Sequence, residues 1–249
     1  MSDLHEYLLA LADDELILGH RDSEWCGHAP ILEEDIAFAN LALDEIGHAN
    51  LWYSLLAEIE GVDPLTYPDQ LVFTREPEAY RNIQMVELPN GDWAFTILRQ
   101  YLFDTIELVR LEALTQSQHA PLAGIAAKIL KEERYHHRHT SAWVRRLGLG
   151  TTESQRRMQD ALNELWPYTW EHFSPIENED ALIGAGIVPD PTMLQSAWTA
   201  KTTQFLQESS LTIPGESSQA LHRTEHTPHL KVLVSEMQSV ARSESGARW

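Results

Sequence analysis

Cysteine is nearly absent. Cys26 is the only one, so no disulfide can form within the chain, and any metal site must use carboxylates and imidazoles instead of thiolates. Long apolar runs are missing as well: no stretch approaches the roughly 18 uncharged apolar residues of a membrane span. The segment Met1 to Leu11 has no basic start followed by an apolar run, so it does not read as an export signal. Basic residues are scarce, with 18 Lys+Arg against 38 Asp+Glu and a net charge of −20. A surface this acidic is poorly suited to displacing counterions from nucleic acid or to meeting an anionic membrane, whereas a basic partner surface is compatible with it. Together these deficits predict a soluble, cytoplasmic protein with neither nucleic-acid nor membrane partners.

Alternating strand-like runs are also rare, and apolar residues recur three and four apart along most of the chain, which predicts an all-α fold. A first helix is expected from about Leu4 to Asp22, ending before the Gly27 and Pro30 break. A second starts near Pro30 and runs to about Glu60 before Gly61. Residues 62–91 carry Pro64, Pro68, Pro77, Pro89 and the Asn90-Gly91 turn signal, with at most a short helix near 78–84. A link of that length suits the crossover of a ferritin-like four-helix bundle. A third helix is expected over about Asp92 to Gln116 and a fourth over about Pro121 to Leu147, followed by helices near 152–173, 193–208 and 229–242. The 249 residues read as one ferritin-like helical domain, with a core bundle over about 4–147 and appended helices over about 152–249.

Two Glu-x-x-His pairs stand out, Glu45 with His48 and Glu133 with His136, each placing a carboxylate and an imidazole on adjacent turns of one helix face. The chain has 12 His and is rich in Glu, so one such pair would arise by chance about once; position is what gives the two weight. Glu15 precedes Glu45 by thirty residues and Asp104 precedes Glu133 by twenty-nine, so each helical hairpin supplies one acid and then a Glu-x-x-His. That is the layout of di-metal carboxylate bundles. Glu15 lies in line with Leu8, Leu11 and Leu18, Glu45 with Phe38, Leu41 and Trp52, and Asp104 with Ile97, Tyr101 and Leu111. Ionised carboxylates on apolar stripes are costly to desolvate unless cations compensate them. The candidate metal ligands are therefore Glu15, Glu45, His48, Asp104, Glu133 and His136, with Glu132 open as an alternative to Glu133. His137 and His139 are expected to be exposed or to support the ligands. Oxygen ligands with two imidazoles favour two iron ions, with manganese as the alternative. Tyr101, Trp52 and Phe103 are candidates for lining a pocket beside them.

Longer stretches carry a resemblance. Asp14 to Arg21, Ser23 to Glu33 with its Trp25-Cys26-Gly27-His28-Ala29-Pro30 core, Leu88 to Asp92, Ala126 to Glu132, Leu165-Trp166-Pro167, His222 to His226 and Ser235 to Gln238 resemble the C-subunit family of the phenylacetyl-CoA epoxidases across nearly the whole chain. The resemblance implies a bacterial multicomponent monooxygenase that epoxidises the ring of phenylacetyl-CoA with dioxygen in aerobic phenylacetate degradation. It further implies a homologous catalytic A subunit with a di-iron site, a reductase drawing on NADPH, and a C subunit that pairs with A and other subunits of the complex, as a homo- or hetero-oligomer. In such C subunits the ligand set is generally degenerate; here Glu15, Glu45 and His48 depart from that pattern, and Asp104 resembles the corresponding acid of the catalytic partner. The alternatives are a metal-free scaffold of that complex and a stand-alone ferritin-like di-iron oxidase. Lys128, Lys131, Arg134 and Arg138 give the fourth helix a basic side that reads as a solvated face, so the coenzyme A moiety is expected to rest mainly on the partner.

Overall fold

The computed structural model describes residues 4–215 and 221–243, and among them every regular element is helical. Helix α1 (His5–Ser23) and α2 (Leu32–Glu60) form an antiparallel hairpin in which Asp13 meets Tyr53 and His5 meets Glu60. The second helix begins at Leu32, two residues after Pro30, because Ile31 is extended at φ −146° and serves as its cap. It stops at Gly61, whose φ of 71° is left-handed and whose N–H returns to Glu58 O.

The link from α2 to the second hairpin holds more helix than its prolines predict. It contains α3 (Tyr67–Thr74), a 3-10 turn (Pro77–Ala79) and α4 (Gln84–Glu87), with the 78–84 segment itself largely non-helical. Pro68 and Pro77 sit in first turns, where a missing N–H costs nothing. Helix α5 (Trp93–Leu114) is capped by Asp92, which accepts from Phe95 N at 3.0 Å, and packs antiparallel to α6 (Ala120–Gly148). Beyond it come α7 (Thr152–Leu165), a 3-10 stretch (Trp166–Phe173), α8 (Glu179–Gly184), α9 (Pro191–Glu208), α10 (Pro228–Met237) and α11 (Ser239–Ser243). The helix expected over 152–173 thus tightens after Leu165, and the last one breaks at Gln238.

Burial separates the long helices into two kinds. Every residue of α1 from Tyr7 to Gly19, and every residue of α5 from Ala94 to Glu107, is buried, so these two run through the interior. By contrast α2 and α6 each keep one solvent face, with Leu43, Ile46, Lys131, Arg134 and Tyr135 outside. The two hairpins meet where α2 packs against α6.

Three consecutive acids on α1 face different ways, which the helical rotation of about 100° per residue requires. Asp13 accepts from Tyr53 and from Arg75 Nη1 at 2.9 Å, and Asp14 accepts from Ile83 N and Arg223 Nη1, both at 2.8 Å, so the pair ties down the link and the C-terminal segment. Glu15 is left facing α2. Close approach there depends on Gly19: a Cβ at this position would lie 3.0 Å from Glu45 Cβ and 3.1 Å from Ala42 O. Gly19→Val is expected to push α1 off α2 and to cost about 2 kcal/mol in chemical denaturation, the usual penalty of overpacking.

Candidate metal centre

Glu15, Glu45, His48, Asp104, Glu133 and His136 are all buried, none more than 1% exposed. Five of them converge. Ligating atoms of Glu15, Glu45 and His48 lie within 4.8 Å of one another, as do those of Glu45, Glu133 and His136, so Glu45 belongs to both groups. His48 Nδ1 is 3.6 Å from Glu15 Oε2 and 3.7 Å from Glu45 Oε2; His136 Nδ1 is 3.4 Å from Glu45 Oε1 and 3.3 Å from Glu133 Oε2. None of these contacts is a hydrogen bond. Both carboxylate oxygens of Glu15 and of Glu133, Glu45 Oε2 and the Nδ1 atoms of both histidines are buried without any hydrogen-bond partner. Two atoms that each ligate one ion at about 2.1 Å stand roughly 3 to 4 Å apart, so the spacing suits bridging through a cation.

The outer nitrogens are held crosswise. His48 Nε2 is 2.9 Å from Glu132 Oε2 on α6, and His136 Nε2 is 3.1 Å from Asp44 Oδ2 on α2. Glu132 therefore reaches the imidazole of the facing helix and not His136, four residues on; with its side chain 43% exposed it is the outward acid, and the fully buried Glu133 is the inward one. An Nε2–H donated to an outer carboxylate leaves Nδ1 as the inward lone-pair donor. His139 pairs with Glu34 at 3.0 Å, and His137 stacks on Tyr101.

Asp104 is placed differently from its five companions. Its Oδ1 accepts from Gln100 Nε2 at 2.8 Å and its Oδ2 from Thr140 Oγ1 at 2.6 Å, while the same Gln100 amide donates to Glu45 Oε1 at 2.8 Å. Glu107, one turn further along α5 than Asp104, also lies near the cluster, since burial raises its pKa and the charge of Glu133 adds to that rise. Spacing along the chain missed this residue. Glu107 is buried and paired with Arg110, whose other guanidinium nitrogen reaches His172 O at 3.4 Å. The available signal was a Glu-x-x-Arg pair set among the apolar residues Ile106, Leu108, Val109 and Leu111.

Electrostatics follow the crowding. Burial pushes Glu15 well above the usual carboxylate range, and the neighbouring Glu45 adds to the shift. Burial acts on Glu45 in the same direction, but its contacts with Glu15, His136 and His48 outweigh it and hold this carboxyl well below its ordinary value. Asp104 and Glu133 are raised, burial being the largest cause, and Glu107 is pushed up to about 7 by burial against the pull of Arg110. Burial opposes protonation of both imidazoles, yet the surrounding carboxylates raise His48 and His136. Without a metal, acids and imidazoles share protons here.

Of the aromatic candidates, Trp52 and Phe103 are fully buried, and Tyr101 borders a separate cavity toward α9. No described helix is long and apolar enough to cross a membrane. The sequence profile of the family described as phenylacetic acid catabolic protein matches residues 1–249. The chain is 41% identical over 254 aligned positions to the C subunit of the 1,2-phenylacetyl-CoA epoxidase of Escherichia coli (strain K12), covering 100% of both chains. It is 25% identical over 169 residues to the A subunit of the epoxidase from the same organism, covering 68% of this chain and 52% of the other.

Proposed function

Since the chain belongs to the phenylacetic acid catabolic protein family, we propose that it serves as a C-type subunit of a phenylacetyl-CoA epoxidase, pairs with an A-type subunit, and holds two iron ions of its own. We read α1, α2, α5 and α6 as a ferritin-like four-helix bundle, with the α3–α4 link as its crossover and the whole chain as one domain. The observation that carries the metal reading is the set of unpartnered, fully buried oxygens and Nδ1 atoms on Glu15, Glu45, His48, Glu133 and His136.

In this reading Glu15, Glu45 and His48 would hold one ion, and Glu45, Glu133 and His136 would hold the other, Glu45 being common to both groups. Asp104 and Glu107 are further buried carboxylates near the second group, both raised by burial and by the charge of Glu133, and Asp104 also positions Glu45 through the shared Gln100 amide. Iron bound by such an oxygen-rich set with two imidazoles supplies reductive activation of dioxygen. The chain's own part is to keep the ligating side chains away from solvent, to orient both imidazoles through Asp44 and Glu132, and to keep protons on the buried acids. Binding of phenylacetyl-CoA belongs to the assembled complex, with the acidic C-type chain contributing little to the nucleotide.

Anaerobic loading with Fe(II) followed by metal analysis is expected to give about two ions per chain, the complement of a carboxylate-bridged pair. Apparent affinity is expected to rise between pH 6 and 8, by about tenfold per unit for each proton displaced, because metal competes with protons on groups whose pKa is raised. Glu132→Ala is expected to weaken binding about tenfold in chelator competition, the usual effect of removing a carboxylate behind a ligating histidine. Protein that takes up no iron while still assembling with an A-type partner would instead support the scaffold reading, which the hydrogen-bonded Asp104 and the Arg110-paired Glu107 favour.

A further inference from the structure

A cavity of about 360 Å³ opens between α5, α6 and α9, separate from the carboxylate cluster. Its size falls at the low end of small-ligand sites. Tyr101, Phe205 and His137 line the cavity with near-parallel rings, Tyr101 to Phe205 at 4.9 Å and 29° and Tyr101 to His137 at 5.7 Å and 30°. Leu108 adds an aliphatic surface to these three rings. The polar lining is largely engaged already: Thr105 Oγ1 donates to Tyr101 O at 2.7 Å, and Gln204 Nε2 donates to Glu208 Oε1 at 2.9 Å. Lys201 is different. Its nearest acid, Glu112, is 3.7 Å away, beyond hydrogen-bond reach, so the ammonium keeps its donors for another acceptor at the cavity rim.

We propose that this cavity binds a flat aromatic carboxylate, with its ring against the Tyr101, Phe205 and His137 layer and its anionic end on Lys201. Stacked or edge-to-face ring contact rewards a planar ring over a puckered one, and a charge-assisted hydrogen bond rewards the anion over a neutral analogue. The proposal stands independently of metal binding.

Calorimetric titration of the full-length protein with benzoate tests it, with cyclohexanecarboxylate and benzyl alcohol as analogues that lack the flat ring and the charge. The expected result is saturable one-to-one binding of benzoate, with both analogues weaker by about fivefold or more. Lys201→Gln, a change on an exposed helix position, is expected to raise Kd about tenfold, the loss of one charge-assisted hydrogen bond. Leu108→Trp, which fills the cavity, is expected to abolish binding. Metal content of both variants, measured in parallel, is expected to match the parent. Absence of saturable benzoate binding would overturn the proposal, and so would binding that Lys201→Gln and Leu108→Trp leave unchanged.

Discussion

Glu45→Ala is expected to reduce iron uptake from about two ions per chain to nearly none, the largest effect of any single ligand change, because one shared carboxylate serves both positions. Truncating Glu15 or His48 removes donors from one group only, so each is expected to leave about one ion held by Glu45, Glu133 and His136. Metal analysis of the three variants after anaerobic loading separates these outcomes. Equal loss in all three would mean that the two groups do not act as separate positions. Folding is not expected to obscure the reading, since removing Glu45 takes away an acid from a crowded acidic cluster while leaving the buried Phe38, Leu41 and Trp52 of the same helix unchanged. Thermal unfolding of the metal-free Glu45→Ala protein is expected to occur at or above the temperature of the metal-free parent.

Arg223→Met is expected to destabilise the chain by about 3 to 5 kcal/mol, the cost of leaving a buried charge without its partner. Arg223 comes from the C-terminal segment, is 7% exposed, and binds both oxygens of Asp14 at 2.9 and 2.8 Å. Its loss leaves Asp14 with the Ile83 N–H as its remaining donor. Burial already raises the Asp14 pKa, and removing the guanidinium raises it further, so the acid keeps its proton to higher pH in the folded state than in the unfolded one. Sign follows from that difference: the deficit is largest above neutrality and shrinks on acidification, where protonation of Asp14 relieves the unpaired charge. Asp14→Asn combined with Arg223→Met is expected to cost less than the sum of the two single changes, since no buried charge is left to strand. Denaturant titrations of the four proteins at pH 5 and pH 8 check both statements, and additive costs at pH 8 would contradict them.

How much of this was legible in the sequence depends on which physical rule each residue obeys. The helices of both hairpins follow directly from apolar periodicity and from breaks such as Gly61, because their packing faces are long and regular. Glu45, His48, Glu133 and His136 are legible for the same reason: three residues along a helix is a fixed displacement, so a Glu-x-x-His pair keeps its geometry wherever the helix goes. Offsets between helices carry no such guarantee. The equal spacings of Glu15 and Asp104 include turns of unrelated shape; in the fold Asp104 is held by Gln100 and Thr140, while Glu107, which the spacing does not mark, is buried one turn further along α5. The roles of Asp44 and Glu132 depend on contacts between helices more than 80 residues apart in the chain, which periodicity cannot reach. Asp13 and Asp14 were equally hidden. Apart from Tyr53 on α2, their donors Arg75, Ile83 and Arg223 lie in the link and the C-terminal segment, where helical patterning is weakest.

The acidic balance of the whole chain also takes on a different meaning once burial is known. Many of the acids behind the net charge of −20 are exposed, yet Asp13, Asp14, Glu15, Asp22, Glu45, Glu87, Asp104, Glu107, Glu133 and Glu171 are buried. Most of these have a protein donor: Asp13 has Arg75, Glu87 has Asn82 and His226, and Glu171 has the Gln84 N–H. Asp22, Glu15 and Glu133 have no hydrogen-bond donor; Asp22 faces the Arg99 guanidinium at 3.6 Å, whereas Glu15 and Glu133 sit with the two inward imidazole nitrogens. Concentration of unsatisfied acceptors at one place, in a core that satisfies most of its other acids, is what separates a candidate ion site from a generally acidic interior.

The most direct test is X-ray anomalous scattering at the iron edge from crystals of anaerobically iron-loaded protein. Two peaks are predicted, one among Glu15, Glu45 and His48 and one among Glu45, Glu133 and His136, with Nδ1 of each histidine as the ligating atom. Iron-loaded crystals with no peak between these side chains, or with the five residues turned onto protein partners instead, would contradict the account.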